Sequence, residues 1–590
     1  MTTATTAPKP AGRVARVLAR REARVAFLFV LPAFLLFIAF RFGPSIAGVA
    51  LSFFDYDISG EIAWRGLDHF QRLVADPLFW RALGTTLIYT VFAVPIALVL
   101  STIMALGVRR AFRGARFFRS IFFLPVITSL VLAGSIFVWI FSANGPWSAL
   151  MTPLGLGGSW LGSTVLVIPA IVVVGVWSRF GYGMMILIAA LQDVPRELEE
   201  AALVDGANAW QRFRWIILPH LRPTFFFLAV IETTAAFQVF DVIYVMTQGG
   251  PANASYSLVY MLYDQGFRYF DYGYAAAVGV ALFLMTLVVA LIQRLPPTQT
   301  TPPATRPAAR KRRSFRALEP TGWGIAVRWI WLSIAGILSF FPFYAMVVLS
   351  LKPGMLVELP GSLLPWNDIS FEAYEQVLAG QNILVWLFNT LVYSLVSVVA
   401  VLFLSALAGY AFAKKRFRGK EVMFWSFLAM VMVPFHVTLI PTFILMANLG
   451  GIDTYWGLIL PTLANAQAVF LMRQFIQGLP DELFEAARID GAGEFRIFLR
   501  IVLPLCKPIL ATLGIFVFLW HWNDFLWPLI IAKSNSMFTL TVGISSLQQQ
   551  DVPLSTMLAG SVVALLPIFL AYLIAQRYVQ EGVTGTGIKG

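Results

Sequence analysis

Two stretches of this chain carry the same chemical pattern. Pro195–Pro223 reads PRELEEAALVDGANAWQRFRWIILPHLRP, and Pro480–Pro508 reads PDELFEAARIDGAGEFRIFLRIVLPLCKP. They align without a gap at an offset of 285 residues, and 14 of 29 positions are identical, which marks an internal duplication. Neither copy holds a nucleophile beside a base. Each reads instead as a short helix, a turn and a second helix. Glu197, Glu200, Glu482 and Glu485 stand where a helix N-terminus favours negative charge. Ala201, Ala202, Ala486 and Ala487 are strong helix formers that leave a low surface for close approach. After Asp205 and Asp490, Gly206 and Gly491 are free to take positive φ and end the first helix. Leu218-Pro219 and Leu503-Pro504 are expected to close the second. A single copy reads equally well as an amphipathic helix on the inner leaflet. Two copies favour a docking surface used twice.

A second group is polar and lies inside apolar runs: Arg179, Glu232, Gln238, Asp241, Asn389, Gln467, Asn523 and Asp524. Such residues are costly in lipid and often mark a substrate path. The alternative for each is an interhelical hydrogen bond that holds the bundle. Tyr244, Trp520 and Trp522 stand beside them, and aromatic faces next to hydrogen-bonding groups suit a sugar. The candidate path therefore comprises Gln238, Asp241 and Tyr244 in one half and Trp520, Trp522, Asn523 and Asp524 in the other. Arg179 and Gln467 are the reserve positions.

Other chemistry is missing. The nearest approach to a phosphate-binding loop, at Gly582–Lys589, has Ile588 where Lys must directly follow the last Gly. His69, His220, His436 and His521 show no metal-ligand spacing, and Cys506 is the sole cysteine. No catalytic residue, cofactor or metal is expected in this chain.

The elements around these residues follow from composition. Of 590 residues 59% are apolar and 12% charged, against about 25% charged in soluble domains. The fold class is all-α: a polytopic membrane protein, since only helices satisfy their own backbone within one lipid-exposed segment. Twelve runs are long enough to span. They lie near 25–50, 83–107, 121–142, 163–191, 223–246 and 273–293, then 327–350, 387–413, 422–446, 456–478, 508–532 and 557–576. The basic leader before the first run resembles a signal peptide, but no small-residue cleavage site follows, so a retained span is expected. With both termini cytoplasmic, 34 of the 43 Lys+Arg fall on the cytoplasmic side, which is the positive-inside pattern. That asymmetry accounts for most of the net charge of +13 without nucleic acid. The Pro/Arg-rich stretch 295–325 reads as a cytoplasmic linker between halves 1–294 and 326–590. Each half is expected to form a six-helix bundle, the two bundles being homologous, with the repeated loop before its fifth span.

On these residues the chain resembles the permeases of binding-protein-dependent ABC importers of the carbohydrate-uptake branch. The shared features are Glu-Ala-Ala, three residues, Gly, then Ile-x-Leu-Pro. FDVIYVMTQGGP at 240–251 is similar to the MalF type. HWNDFLWPL at 521–529 and the terminal RYVQEGVTGTGIKG are similar to the MalG type. In that family the two permeases are usually separate chains, whereas here they are joined. The resemblance implies alternating access driven by two separate ATPase subunits, which bind ATP and Mg and dock on the repeated loops. It also implies an extracytoplasmic solute-binding protein, a location in the cytoplasmic (inner) membrane, and a sugar, oligosaccharide or glycerol-phosphate-like substrate. Rival readings are an ABC importer of osmolytes, amino acids or peptides, a secondary transporter, and a membrane enzyme. The duplicated loops argue against the second, and the lack of a titratable cluster argues against the third.

Overall fold

The computed structural model describes residues 13–56, 61–109, 112–292, 322–353, 363–550 and 552–585. Most of the linker, 295–321, lies outside them. The first half runs α1 (Glu22–Leu51), α2 (Pro77–Val108), α3 (Ala115–Ile127), α4 (Leu130–Ile140) and α5 (Val167–Gln192). It continues with α6 (Arg196–Val204), α7 (Ala209–Phe237), α8 (Asp241–Met246), α9 (Leu258–Phe267) and α10 (Tyr272–Ile292). The second half runs α11 (Gly322–Ser350), α12 (Ile383–Lys414), α13 (Lys420–Met432), α14 (Phe435–Asn448), α15 (Tyr455–Leu463) and α16 (Ala466–Gln477). It ends with α17 (Glu482–Ile489), α18 (Glu494–Leu505), α19 (Lys507–Asn523), α20 (Leu526–Ile531), α21 (Leu540–Leu547) and α22 (Leu554–Gly585). A two-stranded antiparallel hairpin, pairing Phe54 with Trp64 and Tyr56 with Ile62, is an addition to the all-α expectation.

Eight described helices are long and apolar enough to cross a membrane, and the number reaches twelve when each bent pair counts as one span. Four of the twelve are bent pairs. The third span turns by 98° between α3 and α4, and the ninth by 102° between α13 and α14. At the second of these, Pro434 caps α14 and the preceding Val433 is extended at φ −84°, ψ 115°, as a residue before proline prefers.

Proline has a different effect at three other places. Five-residue π turns occupy Ile38–Phe42, Phe213–Ile217 and Phe498–Val502. Each is followed by one residue and then a proline: Pro44, Pro219 and Pro504. Proline brings no N–H, and its ring presses on the carbonyl four residues back. A turn widened to an i→i−5 bond relieves that pressure, and the bonds found are Gly43 N to Ile38 O, Leu218 N to Phe213 O and Leu503 N to Phe498 O. The expected helix end at Leu218-Pro219 is therefore not an end, whereas α18 does stop just past Pro504, at Leu505. In the first copy the loop helix runs through the proline into the fifth span as one element, α7. In the second it passes Pro504 and then bends by 77° between α18 and α19.

The helices pack as two units. One contains residues up to Ala47 with Val392–His521, the other Gly48–Leu391 with Trp522–Gly590. In the first unit, α1 of the first half lies among helices of the second half. Its Phe37 ring sits 4.1 Å from Phe427, and Phe29 lies 6.0 Å from Tyr410 and 5.9 Å from Phe498. Arg41 donates to Ala464 O (3.4 Å), and the Glu22 carboxylate accepts from Arg416 N (3.2 Å). In the second unit, α11 of the second half lies on the first half. Trp329 packs on Phe118 at 5.5 Å, and the Trp177 indole donates to Ser339 O (3.0 Å). Each repeat's first span thus packs on the other repeat. In lipid, ring packing and hydrogen bonds of this kind hold helices together.

Candidate functional site

The repeated loops fold alike. α6 ends at Asp205 and α17 at Asp490, and the next residues, Gly206 and Gly491, sit at φ +80° and +77°. A Cβ built on either glycine meets nothing within 4 Å, so the left-handed backbone, not crowding, calls for glycine. Apolar side chains stand out at matched positions. Leu198 and Leu483 are 44% and 43% exposed, Val204 and Ile489 are 85% and 86%, and Trp210 and Phe495 are 68% and 53%. Ala201 and Ala486 are exposed beside them, as are Asp205 and Asp490, while Ala202 is half-buried and Ala487 buried. Glu200 is half-buried and Glu485 exposed. Large apolar groups thus stand in solvent at the same three places of both copies.

The two loops are fastened differently, by residues that sequence reasoning did not single out. In the first, Arg109 at the end of α2 forks onto Glu199, at 2.9 and 2.7 Å. The position equivalent to Glu199 is Phe484, which is buried. There Lys414 at the end of α12 stands 5.3 Å from the Phe484 ring centre, a cation–π contact. Lys414 also donates to Leu479 O (2.6 Å) and Asp481 Oδ1 (2.7 Å), which holds the exposed Asp481 carboxyl below its ordinary range. The second helix starts differently too. Asn208 and Gln211 form a reciprocal capping box at 2.9 and 2.8 Å. In the second copy Gly493 offers no side chain. The neighbouring Glu494 is instead held by buried Lys415 (2.5 Å), the Tyr410 hydroxyl (2.9 Å) and Arg488 (3.2 Å). The signal available in sequence was the first basic residue after the second span of each half, Arg109 and Lys414.

The intramembrane candidates divide. Arg179 of α5 forms a bidentate pair with the buried Glu232 of α7. Asn389 donates to Ser536 O (2.8 Å) and Phe538 O (2.9 Å), fastening the loop before α21. Trp522 is 1% exposed, and its indole donates to Ala564 O (3.3 Å). Its surroundings are packing. Trp520 and Gln467 are exposed and belong to the first unit.

The others gather in the second unit around two matched helix breaks. α7 stops at Gln238, whose amide donates to Thr234 O (3.0 Å), and α8 begins after Phe240. α19 stops at Asn523 and α20 begins after Phe525. Phe240 (φ −139°, ψ −60°) and Phe525 (φ −124°, ψ −52°) share an unusual conformation, lie 285 residues apart, and stack at 6.3 Å. Tyr244 meets Phe525 edge-on at 5.2 Å, and Tyr263 lies 5.2 Å from Phe240. Gln549 reaches the Tyr244 hydroxyl (3.4 Å), and Gln548 donates to Val245 O (2.8 Å). Asn523 donates to Ile127 O (2.9 Å) while its own Oδ1 is buried without a partner. Asp241 and Asp524 are half-buried. The cluster offers aromatic faces, amides, phenols and carboxylates, which is the chemistry of hydroxyl recognition. Among the described residues no group of three His, Cys, Asp or Glu is placed to hold a metal.

The chain is similar to several known proteins. The arabinooligosaccharides transport system permease protein AraQ of Bacillus subtilis (strain 168) is 38% identical over 265 residues, 44% of this chain and 94% of that protein. The sn-glycerol-3-phosphate transport system permease protein UgpE of Yersinia enterocolitica is 38% identical over 264 residues, 43% of this chain and 93% of that protein. A solved bacterial ABC transporter involved in the import of alginate aligns at 26% identity and TM-score 0.39, covering 43% of this chain and 96% of that one. The model for the binding-protein-dependent transport system inner membrane component matches twice, over residues 79–296 and 402–585. Those two matches together span more than half of the sequence, and the chain belongs to that family of transport permeases.

Proposed function

We propose that this chain is a two-half permease of an ATP-driven importer for a sugar, oligosaccharide or glycerol-phosphate-like solute. Halves 1–294 and 326–590, joined by linker 295–325, replace two separate permease subunits. Two ATPase subunits dock on the repeated cytoplasmic loops, and a solute-binding protein delivers substrate on the outer side. Both termini face the cytoplasm, and the membrane is the inner one. The chain itself works without a cofactor; ATP and Mg belong to the partner.

The observation that carries this reading is the matched exposure of Leu198/Leu483, Val204/Ile489 and Trp210/Phe495 on loops that lead directly into the fifth spans. ATPase closure that draws on α6 and α17 is transmitted through α7, and through α18 and α19, to the helix breaks at Phe240 and Phe525. The names of the relatives support the cargo class: arabinooligosaccharides in one, glycerol 3-phosphate in another. The test is uptake by proteoliposomes holding the chain with its binding protein, with and without the ATPase. Uptake that requires the ATPase and ATP is expected. Uptake driven by an ion gradient without the ATPase would refute the reading.

A further inference from the structure

We infer that the path at the paired helix breaks selects uncharged polyhydroxyl solutes and rejects phosphate-bearing ones. This rests on the importer reading above and narrows its cargo. The two named relatives bracket the choice, since one carries a neutral glycan in its name and the other a phosphate ester.

The argument is one of charge accounting. A phosphate monoester is recognised by cations, above all by the guanidinium fork. Arg179 and Arg268 stand beside the cluster and Lys533 follows α20, and each is already engaged. Arg179 forks onto Glu232 with both arms. Arg268, 5.8 Å from the ring centres of Tyr260 and Tyr263, is paired with Asp264 at 3.1 Å. Freeing either for a phosphate would leave a low-exposure carboxylate without its cation, a costly exchange. Asp241 is the reverse case. Among the described residues it makes no hydrogen bond and no ion pair. An acceptor held this way gains from a donor that brings no negative charge, and sugar hydroxyls are such donors. A phosphate at the same place adds a further like charge in a partly dehydrated site. The surrounding groups are neutral: the Gln549 amide, the Tyr244 phenol and the unsatisfied Asn523 Oδ1, which calls for one more donor.

The test uses the full chain in nanodiscs and two probes, an arabino-oligosaccharide and sn-glycerol 3-phosphate, read by saturation-transfer NMR with competition. The glycan is expected to bind, and the phosphate ester is expected neither to bind nor to displace it. Asp241→Asn removes the charged acceptor and should weaken glycan binding several-fold without admitting the phosphate ester. Asp241→Lys should raise phosphate affinity by at least about tenfold, the order expected when one close charge changes sign. Phosphate binding to the wild type, equal to or tighter than the glycan, overturns the inference and leaves the importer reading standing. Binding of neither probe overturns both, since then no polyhydroxyl solute is recognised here. An unchanged probe preference in Asp241→Lys, with the variant inserted and monodisperse, also overturns the inference.

Discussion

The two coupling loops share a backbone and differ in how they are fastened. The first carries its support locally: a capping box between Asn208 and Gln211, one forked pair from Arg109 to Glu199, and a helix that continues unbroken into the fifth span. The second relies on tertiary partners. Lys414 grips a carbonyl, Asp481 and the Phe484 ring, while buried Lys415 depends on Glu494, and the helix bends by 77° before the span. Duplication preserved the left-handed glycine and the exposed apolar positions. It did not preserve the attachment to the bundle, which each half was free to solve with its own side chains.

This difference predicts unequal sensitivity to mutation. The largest effect is expected from Glu494→Ala. It strands the buried Lys415 ammonium, and losing one partner of such a pair costs about 3–5 kcal/mol, reduced here because Glu494 is part-exposed. Amide hydrogen exchange should rise across α17 and α18 and stay unchanged across α6. Equal loosening of both loops would break the comparison.

Glu199→Ala comes next. The Arg109 side chain it leaves behind has some access to water, so about 2 kcal/mol is expected, confined to α6. Glu199→Phe, which copies the second loop, should lose less than Glu199→Ala if the ring packs against Arg109 as Phe484 does beside Lys414.

Gly206→Val and Gly491→Val should cost alike, about 1–2 kcal/mol for the left-handed backbone and somewhat more for β-branching, because a Cβ finds open space at both. Transport-coupled ATP turnover should fall in both variants with the protein still in the membrane. A large difference between them would show that the turns are not equivalent.

The smallest effect is Asn208→Ala, about 1 kcal/mol for a lost N-cap, seen as fraying at the start of α7. Gly493→Asn should gain only roughly a few tenths of a kcal/mol in the second loop, because glycine is already a tolerated cap.

Much of this was legible in sequence. The spans follow from long apolar runs, the repeat from direct alignment, and the turn glycines from their place after an Ala-rich helix. What failed was long-range. Arg109 and Glu199 are 90 residues apart, and nothing local in either announces the other. The exchange of α1 and α11 between halves rests on ring contacts such as Phe37 with Phe427, invisible to periodicity. Asn389 carried the same intramembrane signal as Asp241, yet its amide is committed to two backbone carbonyls while Asp241 is bound to nothing described. Polarity inside a span marks a cost, and only the partners reveal whether structure has already met it. Pro219 was read as a stop, whereas the π turn before it lets α7 run on into the fifth span; at Pro504 the helix does end, at Leu505.

The central claim is that the two loops are docking surfaces for ATPase subunits. The most direct measurement replaces the most exposed apolar side chain of each, Val204→Asp and Ile489→Asp, singly and together, and quantifies the ATPase that co-purifies with the membrane-extracted chain. Both positions are over four-fifths exposed, so folding and membrane insertion should be unaffected. The account predicts roughly half the bound ATPase in each single variant and close to none in the double variant. Full co-purification with the double variant would contradict it.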